Sequence, residues 1–90
     1  MVQYEIRITG RVQGVGFRYF VHRIAGDHNI KGWVQNSRDG GVFIFARGEE
    51  RDIETFIDHI RIGPSLARIK EFRKQRVSVS ESLNDFRIKY

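Results

Sequence analysis

A change of hydrophobic period across a glycine-rich turn constrains this chain more than any other feature. Residues 3 to 12 alternate, with Tyr4, Ile6, Ile8 and Val12 on one side and Gln3, Glu5, Arg7, Thr9 and Arg11 on the other, the pattern of a half-buried strand. From Phe17 the spacing becomes helical, with Phe17, Val21, Ile24 and Ala25 recurring until Gly26 and Asn29 interrupt it. Between the two lie Gly10, Gly14 and Gly16. The first unit is strand, loop, helix.

Two short strand-like runs follow, KGWVQN and GVFIFA, separated by SRDG, whose Asp39-Gly40 pair signals a hairpin. A three-residue loop of Arg38, Asp39 and a left-handed Gly40 pairs Asn36 with Val42, Val34 with Ile44 and Trp33 with Phe45. Paired residues share a face, so Val34, Asn36, Val42 and Ile44 are expected on the core side and Trp33, Phe43 and Phe45 on the other. Residues 49 to 62 carry Ile53, Phe56, Ile57 and Ile60 on one helical stripe, with acids in the first turn and Gly63-Pro64 as a stop. Beyond it, LARIKEFRKQRVSV reads as a basic strand suited to a sheet edge, and FRIKY as a short final strand with Phe86, Ile88 and Tyr90 on one side.

The order strand, helix, strand, strand, helix, strand predicts an α+β fold: a ferredoxin-like two-layer sandwich, an antiparallel sheet (βαββαβ plus a short C-terminal edge strand) with both helices on one face. Ninety residues with 40% hydrophobic content suffice for one core, so residues 1–90 are expected to form a single domain. There is no apolar run of about 20 residues to cross a bilayer and no secretory leader after Met1, so a cytoplasmic location is expected. The absence of cysteine excludes disulfides, thiolate nucleophiles and cysteine-ligated metals. A formal charge of +5 attracts anions, although a surplus of this size also serves solubility.

The chemistry concentrates in GRVQGVGFR. Glycines there let the backbone approach a ligand and adopt positive φ, and the following helix offers free N–H groups and its positive dipole end. Arg18 adds a planar fork of donors that a lysine cannot reproduce. No GK[ST] follows and the glycine spacing is not that of a dinucleotide site, which leaves a loop sized for one phosphoryl group.

Together, GRVQGVGFR and GWVQNSRDG resemble the paired signature of the acylphosphatase family, and the likeness continues through Gly63, Pro64 and Ala67. The resemblance implies a ferredoxin-like fold and hydrolysis of the carboxyl-phosphate anhydride bond to carboxylate and inorganic phosphate. Carried over residue by residue, it implies that Gln13, Gly14, Val15, Gly16, Phe17 and Arg18 wrap the phosphoryl group, with Arg18 binding it, and that Asn36 orients the attacking water. An acyl phosphate expels a stable carboxylate, so positioning and charge stabilisation suffice without a general acid. No cofactor and no metal are expected, since His22, His28 and His59 lack a paired spacing with carboxylates.

Three positions depart from the common family pattern: Ser37 where threonine is frequent, His28-Asn29-Ile30 at the helix exit, and Phe43 and Phe45 on the outward face. The Ser37 hydroxyl is expected to bond near Asn36, and Asn29 to take the left-handed conformation. The aromatic trio Trp33, Phe43 and Phe45 raises a rival reading, an RNA- or single-stranded-DNA-binding module that stacks bases on its open sheet face. RDGGVFIF matches the corresponding RNA-binding strand poorly. The expected partners are therefore a small acyl phosphate and inorganic phosphate, with no membrane and no specific nucleic acid. The chain is expected to be a monomer, with a homodimer as the alternative.

Overall fold

The computed structural model describes residues 1–79 and 82–90. The elements are strand β1 (Val2–Arg11), helix α1 (Phe17–Asp27), strands β2 (Lys31–Asn36) and β3 (Val42–Gly48), helix α2 (Glu50–Ile62), and strands β4 (Arg68–Val77) and β5 (Phe86–Lys89). They form one five-stranded sheet in the order β4-β1-β3-β2-β5 with both helices against it. This is the ferredoxin-like α+β arrangement that the element order predicts.

Each element forms where its period dictates. Helix α1 buries Phe17, Val21, Ile24 and Ala25, and α2 buries Ile53, Phe56, Ile57 and Ile60. These stripes meet Ile6, Ile8, Val34, Val42 and Ile44 from the covered sheet face in a single core. Helix α1 runs through Gly26 to Asp27, and the chain turns away at Asn29, whose φ is 56°. Asparagine tolerates that left-handed conformation because its short polar side chain bonds locally.

The β2–β3 register is Trp33 with Phe45, Val34 with Ile44 and Asn36 with Val42. Ser37 N–H donates to the Gly41 carbonyl at 2.9 Å, which leaves Arg38, Asp39 and Gly40 as the loop, with Gly40 at φ 91°. A three-residue loop with a left-handed glycine matches the twist of the two strands it joins. On the open face Trp33 lies 5.7 Å from Phe45 and 5.2 Å from Phe43 between ring centroids, and Lys89 and Arg7 stand over Trp33 and Phe43.

Two expectations change. The sheet is mixed instead of antiparallel throughout, because β5 runs parallel to β2. The reason is the end at which the chain returns: β4 finishes beside the start of β1 (Gln3 opposite Val77), and β5 begins beside the start of β2 (Gly32 opposite Phe86). Strands β1 and β2 are both antiparallel to β3 and so begin at the same end of the sheet. A strand that enters at that end must run with them. Gln3, expected to face solvent, is 1% exposed. Its Nε2 donates to the Ser78 carbonyl at 3.0 Å, and its pairing partner Arg47 donates from Nη2 to the Leu83 carbonyl at 3.1 Å. Ser78 and Leu83 are thus each tied by a hydrogen bond to this corner of the open face.

Strand β4 forms the other edge, and Arg68, Lys70, Arg73, Lys74 and Arg76 on it are exposed. Charged edge residues discourage pairing with another sheet.

Candidate functional site

Because β1 and β2 run the same way, they end at the same end of the sheet. The loop leaving β1 therefore lies beside Asn36, the last residue of β2. Gly14 and Gly16 in this loop have φ of 73° and 77°. An added Cβ at either would meet nothing within 4 Å, so the demand for glycine is conformational. An L-residue there costs about 1–2 kcal/mol. Both glycines are left-handed, and Gly16 is the N-cap of α1 with no side-chain cap.

Val15 is partly buried against the core and Phe17 is 1% exposed, its ring edge-on to Phe20 at 6.1 Å. These two anchors fix the loop from below. The first helical bond runs from Phe20 N–H to the Gly16 carbonyl at 3.0 Å. Among the described residues, the N–H groups of Gly14, Val15, Gly16, Phe17 and Arg18 have no acceptor. Such a cluster of free donors at a helix start favours an anion.

Gln13 works differently from its neighbours. Its Nε2 donates to the carbonyls of Ser37 and Gly41, both at 2.8 Å, so its side chain ties the loop to the hairpin that carries Asn36. Any contribution to anion binding comes from its backbone. Gln13→Ala removes both ties, each worth about 1 kcal/mol. The expected result is a fall in melting temperature together with a several-fold loss of turnover, measured by thermal unfolding and steady-state kinetics.

Arg18 is the second residue of α1 and half-buried. Its Nη1 donates to the Lys89 carbonyl at 3.3 Å, and its guanidinium lies 4.8 Å from the centroid of the Tyr90 ring. A guanidinium has five N–H donors in a fixed fork, and this contact occupies one of them. The remaining donors suffice for a bidentate grip.

Asn36 is on the helix-covered face, half-buried, and its amide makes no hydrogen bond among the described residues. It does not cap the turn. Asp39 does that: its Oδ1 accepts from Gly41 N–H at 3.0 Å and from the Ser37 hydroxyl at 2.6 Å. The Ser37 hydroxyl thus bonds Asp39 and not the surroundings of Asn36. The Ser37 bond, then the Gly41 bond, hold the Asp39 carboxyl below the usual aspartate range. A depressed carboxyl pKa means that these turn contacts are intact above the usual aspartate value and are lost as the pH falls through the lowered one. In an NMR titration the Gly41 amide is expected to shift at a pH below the ordinary aspartate midpoint.

The structure therefore brings the 13–18 loop, Arg18 and Asn36 to one end of the sheet. It adds Lys89 and Tyr90, which the sequence reading did not connect to Arg18. No local signal links them, since the contact arises only when β5 docks beside β2. The histidines lie elsewhere: His22 meets Phe86 edge-on at 6.3 Å, and His28 and His59 stack at 5.4 Å between the helices.

Comparison with known proteins narrows the class. The family model for acylphosphatase matches residues 4–88. An acylphosphatase of Archaeoglobus fulgidus is 40% identical over 90 residues, with all of both chains covered. The crystal structure of the Bacillus subtilis acylphosphatase superposes with a TM-score of 0.96 at 38% identity, again over all of both chains. A part of full-length HypF, crystallised in its phosphate- and nucleotide-bound form, matches 99% of this chain with a TM-score of 0.92 and 46% identity, and amounts to 12% of that protein. The fold and the paired motifs are those of a small acid-anhydride hydrolase. The chain belongs to the acylphosphatase family, and the nucleic-acid-binding reading of its open face is not favoured.

Proposed function

We propose that the 13–18 loop and Arg18 hold the phosphoryl group of an acyl phosphate while Asn36 directs the attacking water. The enzyme is an acylphosphatase and hydrolyses the carboxyl-phosphate anhydride bond. The observation that carries the site assignment is the convergence at one end of the sheet of free loop N–H groups, a guanidinium fork and an asparagine amide with no partner of its own.

The backbone of residues 13–18 surrounds the phosphoryl oxygens, and Arg18 neutralises charge on them. Asn36 accepts a hydrogen bond from the water through its Oδ1, without taking the proton, and so aims the water oxygen at phosphorus. As the new P–O bond forms, the bond from phosphorus to the carboxyl oxygen breaks and its electron pair leaves on a carboxylate. The protons of the water remain with the phosphate product and solvent. A carboxylate is a stable leaving group, so the reaction is driven by positioning and electrostatic stabilisation. An alkoxide would demand a general acid or a metal.

Residues 1–90 act as one catalytic unit in this reading, as a monomer in the cytoplasm that requires no metal, membrane or specific nucleic acid. No helix among the described residues is long and apolar enough to cross a membrane. The test is hydrolysis of benzoyl phosphate in the presence of chelator, beside an alkyl phosphate. Rapid turnover of the first and none of the second supports the reading, and loss of benzoyl phosphate hydrolysis on chelation overturns its metal-free chemistry.

A further inference from the structure

The two carbonyls that hold Gln13 belong to one turn, and a side chain closes that turn. Gln13 Nε2 commits both of its N–H bonds there, to the Ser37 and Gly41 carbonyls at 2.8 Å each. The same two oxygens accept backbone bonds across the loop, from Gly40 N–H at 3.2 Å and from Ser37 N–H at 2.9 Å. Asp39 spans the opening between them, since its Oδ1 accepts from the Ser37 hydroxyl at 2.6 Å and from Gly41 N–H at 3.0 Å. The fit is close: a Cβ at Gly41 would stand 3.2 Å from that oxygen, 3.2 Å from the Ser37 hydroxyl and 2.5 Å from the Ile8 carbonyl. One carboxylate oxygen therefore fixes residues 37 and 41 relative to each other, and with them the spacing of the two acceptors that Gln13 needs.

The phosphoryl loop has reason to depend on this tie. Gly14 and Gly16 leave the backbone between Gln13 and Phe17 permissive, and a permissive loop loses entropy when it closes on a ligand. Phe17, buried in the core, fastens one end. Gln13 fastens the other, through its two bonds to the turn.

We propose that Asp39 is a positioning residue for the phosphoryl loop: by fixing the Ser37 and Gly41 carbonyls it holds Gln13, and through Gln13 it presets the free N–H groups of residues 14–18 for the anion. The proposal rests on the phosphoryl-site reading above. Asp39 touches neither substrate nor water in this arrangement, so its effect travels through Gln13 and disappears when the Gln13 side chain is gone. A residue that merely kept the hairpin folded would act in either background. The acceptor matters here and the charge does not. Asparagine keeps Oδ1 and loses the charge, whereas alanine loses both, so comparing the two removes any effect of a nearby negative charge on phosphate.

The experiment measures kcat/KM for benzoyl phosphate and the inhibition constant of inorganic phosphate in the wild-type, Asp39→Ala, Asp39→Asn and Ser37→Ala enzymes, and again with Gln13→Ala added to each. Melting curves fix an assay temperature at which every variant is folded. Asp39→Ala is expected to lose about three- to tenfold in catalytic efficiency and in phosphate affinity, the scale of one or two hydrogen bonds, with Asp39→Asn staying within about twofold of wild type. Ser37→Ala removes one donor to the same carboxylate and should show a smaller loss of the same sign, so the test does not depend on how well Asp39→Ala folds. With Gln13→Ala already present, each loss is expected to vanish, the non-additivity of residues acting in one network. An unchanged Asp39→Ala enzyme, equal losses in Asp39→Ala and Asp39→Asn, or losses that persist at full size beside Gln13→Ala overturn the relay and leave the phosphoryl site standing. A wild-type enzyme that neither hydrolyses benzoyl phosphate nor is inhibited by phosphate overturns the underlying reading and the relay with it.

Discussion

Asn36→Ala is expected to lower kcat by about a hundredfold or more, the usual scale for losing the group that positions a reactant. Inhibition by inorganic phosphate should be unchanged. The physical basis is that Asn36 makes no hydrogen bond to the protein among the described residues, so truncation removes a directed amide without opening a network. Asp39 holds the adjoining turn through Ser37 and Gly41, so the hairpin survives. Asn36→Asp should be poor as well, because in the proposed site a carboxylate would face the anionic phosphoryl group and could not donate. Steady-state kinetics and a thermal melt decide the matter together. Full kcat with a lowered melting temperature would make Asn36 a structural residue and sink its assignment to water.

Arg18→Ala has the larger expected effect, a loss of about 10³-fold in kcat/KM, because a guanidinium on a transferring phosphoryl group stabilises charge in the transition state. Unlike the Asn36 variant, it should also weaken phosphate inhibition. Arg18→Lys keeps the charge and loses the fork, so it is expected to remain severely impaired. Lysine also lacks the planar group that lies against Tyr90 and the donor geometry that reaches the Lys89 carbonyl. Wild-type turnover and phosphate affinity in Arg18→Ala would remove the central claim. The contrast between the two variants separates gripping from aiming.

Most of the fold and the outline of the candidate site are legible in the sequence because they depend on local pattern. Asn36 shows this best. Its place on the helix-covered face follows from a three-residue loop ending in left-handed Gly40, since that loop sets the pairing with Val42 and a slip of one residue would bury Trp33 and expose Val34. The turn from β1 into α1 is legible for a similar reason: period two cannot continue into period 3.6 without a break, and Gly14 and Gly16 supply it.

Contacts between segments distant in sequence are not legible in this way. Gln13 is polar and lies in a glycine-rich loop, and only the assembled sheet shows its carboxamide reaching Ser37 and Gly41. Gln3 obeys the alternation and points to the open face, yet the return of the chain after β4 buries it.

The sequence by itself determined the elements, the hairpin register and the side of the sheet on which Asn36 sits, because periodicity and turn chemistry act over a few residues with one face buried. Only the tertiary structure decided that β5 runs parallel to β2 and that Arg18 is held by Lys89 and Tyr90. Those outcomes turn on the end of the sheet at which a connection delivers the chain. That is a global property, and a final strand of four residues has the same alternating pattern whichever way it runs.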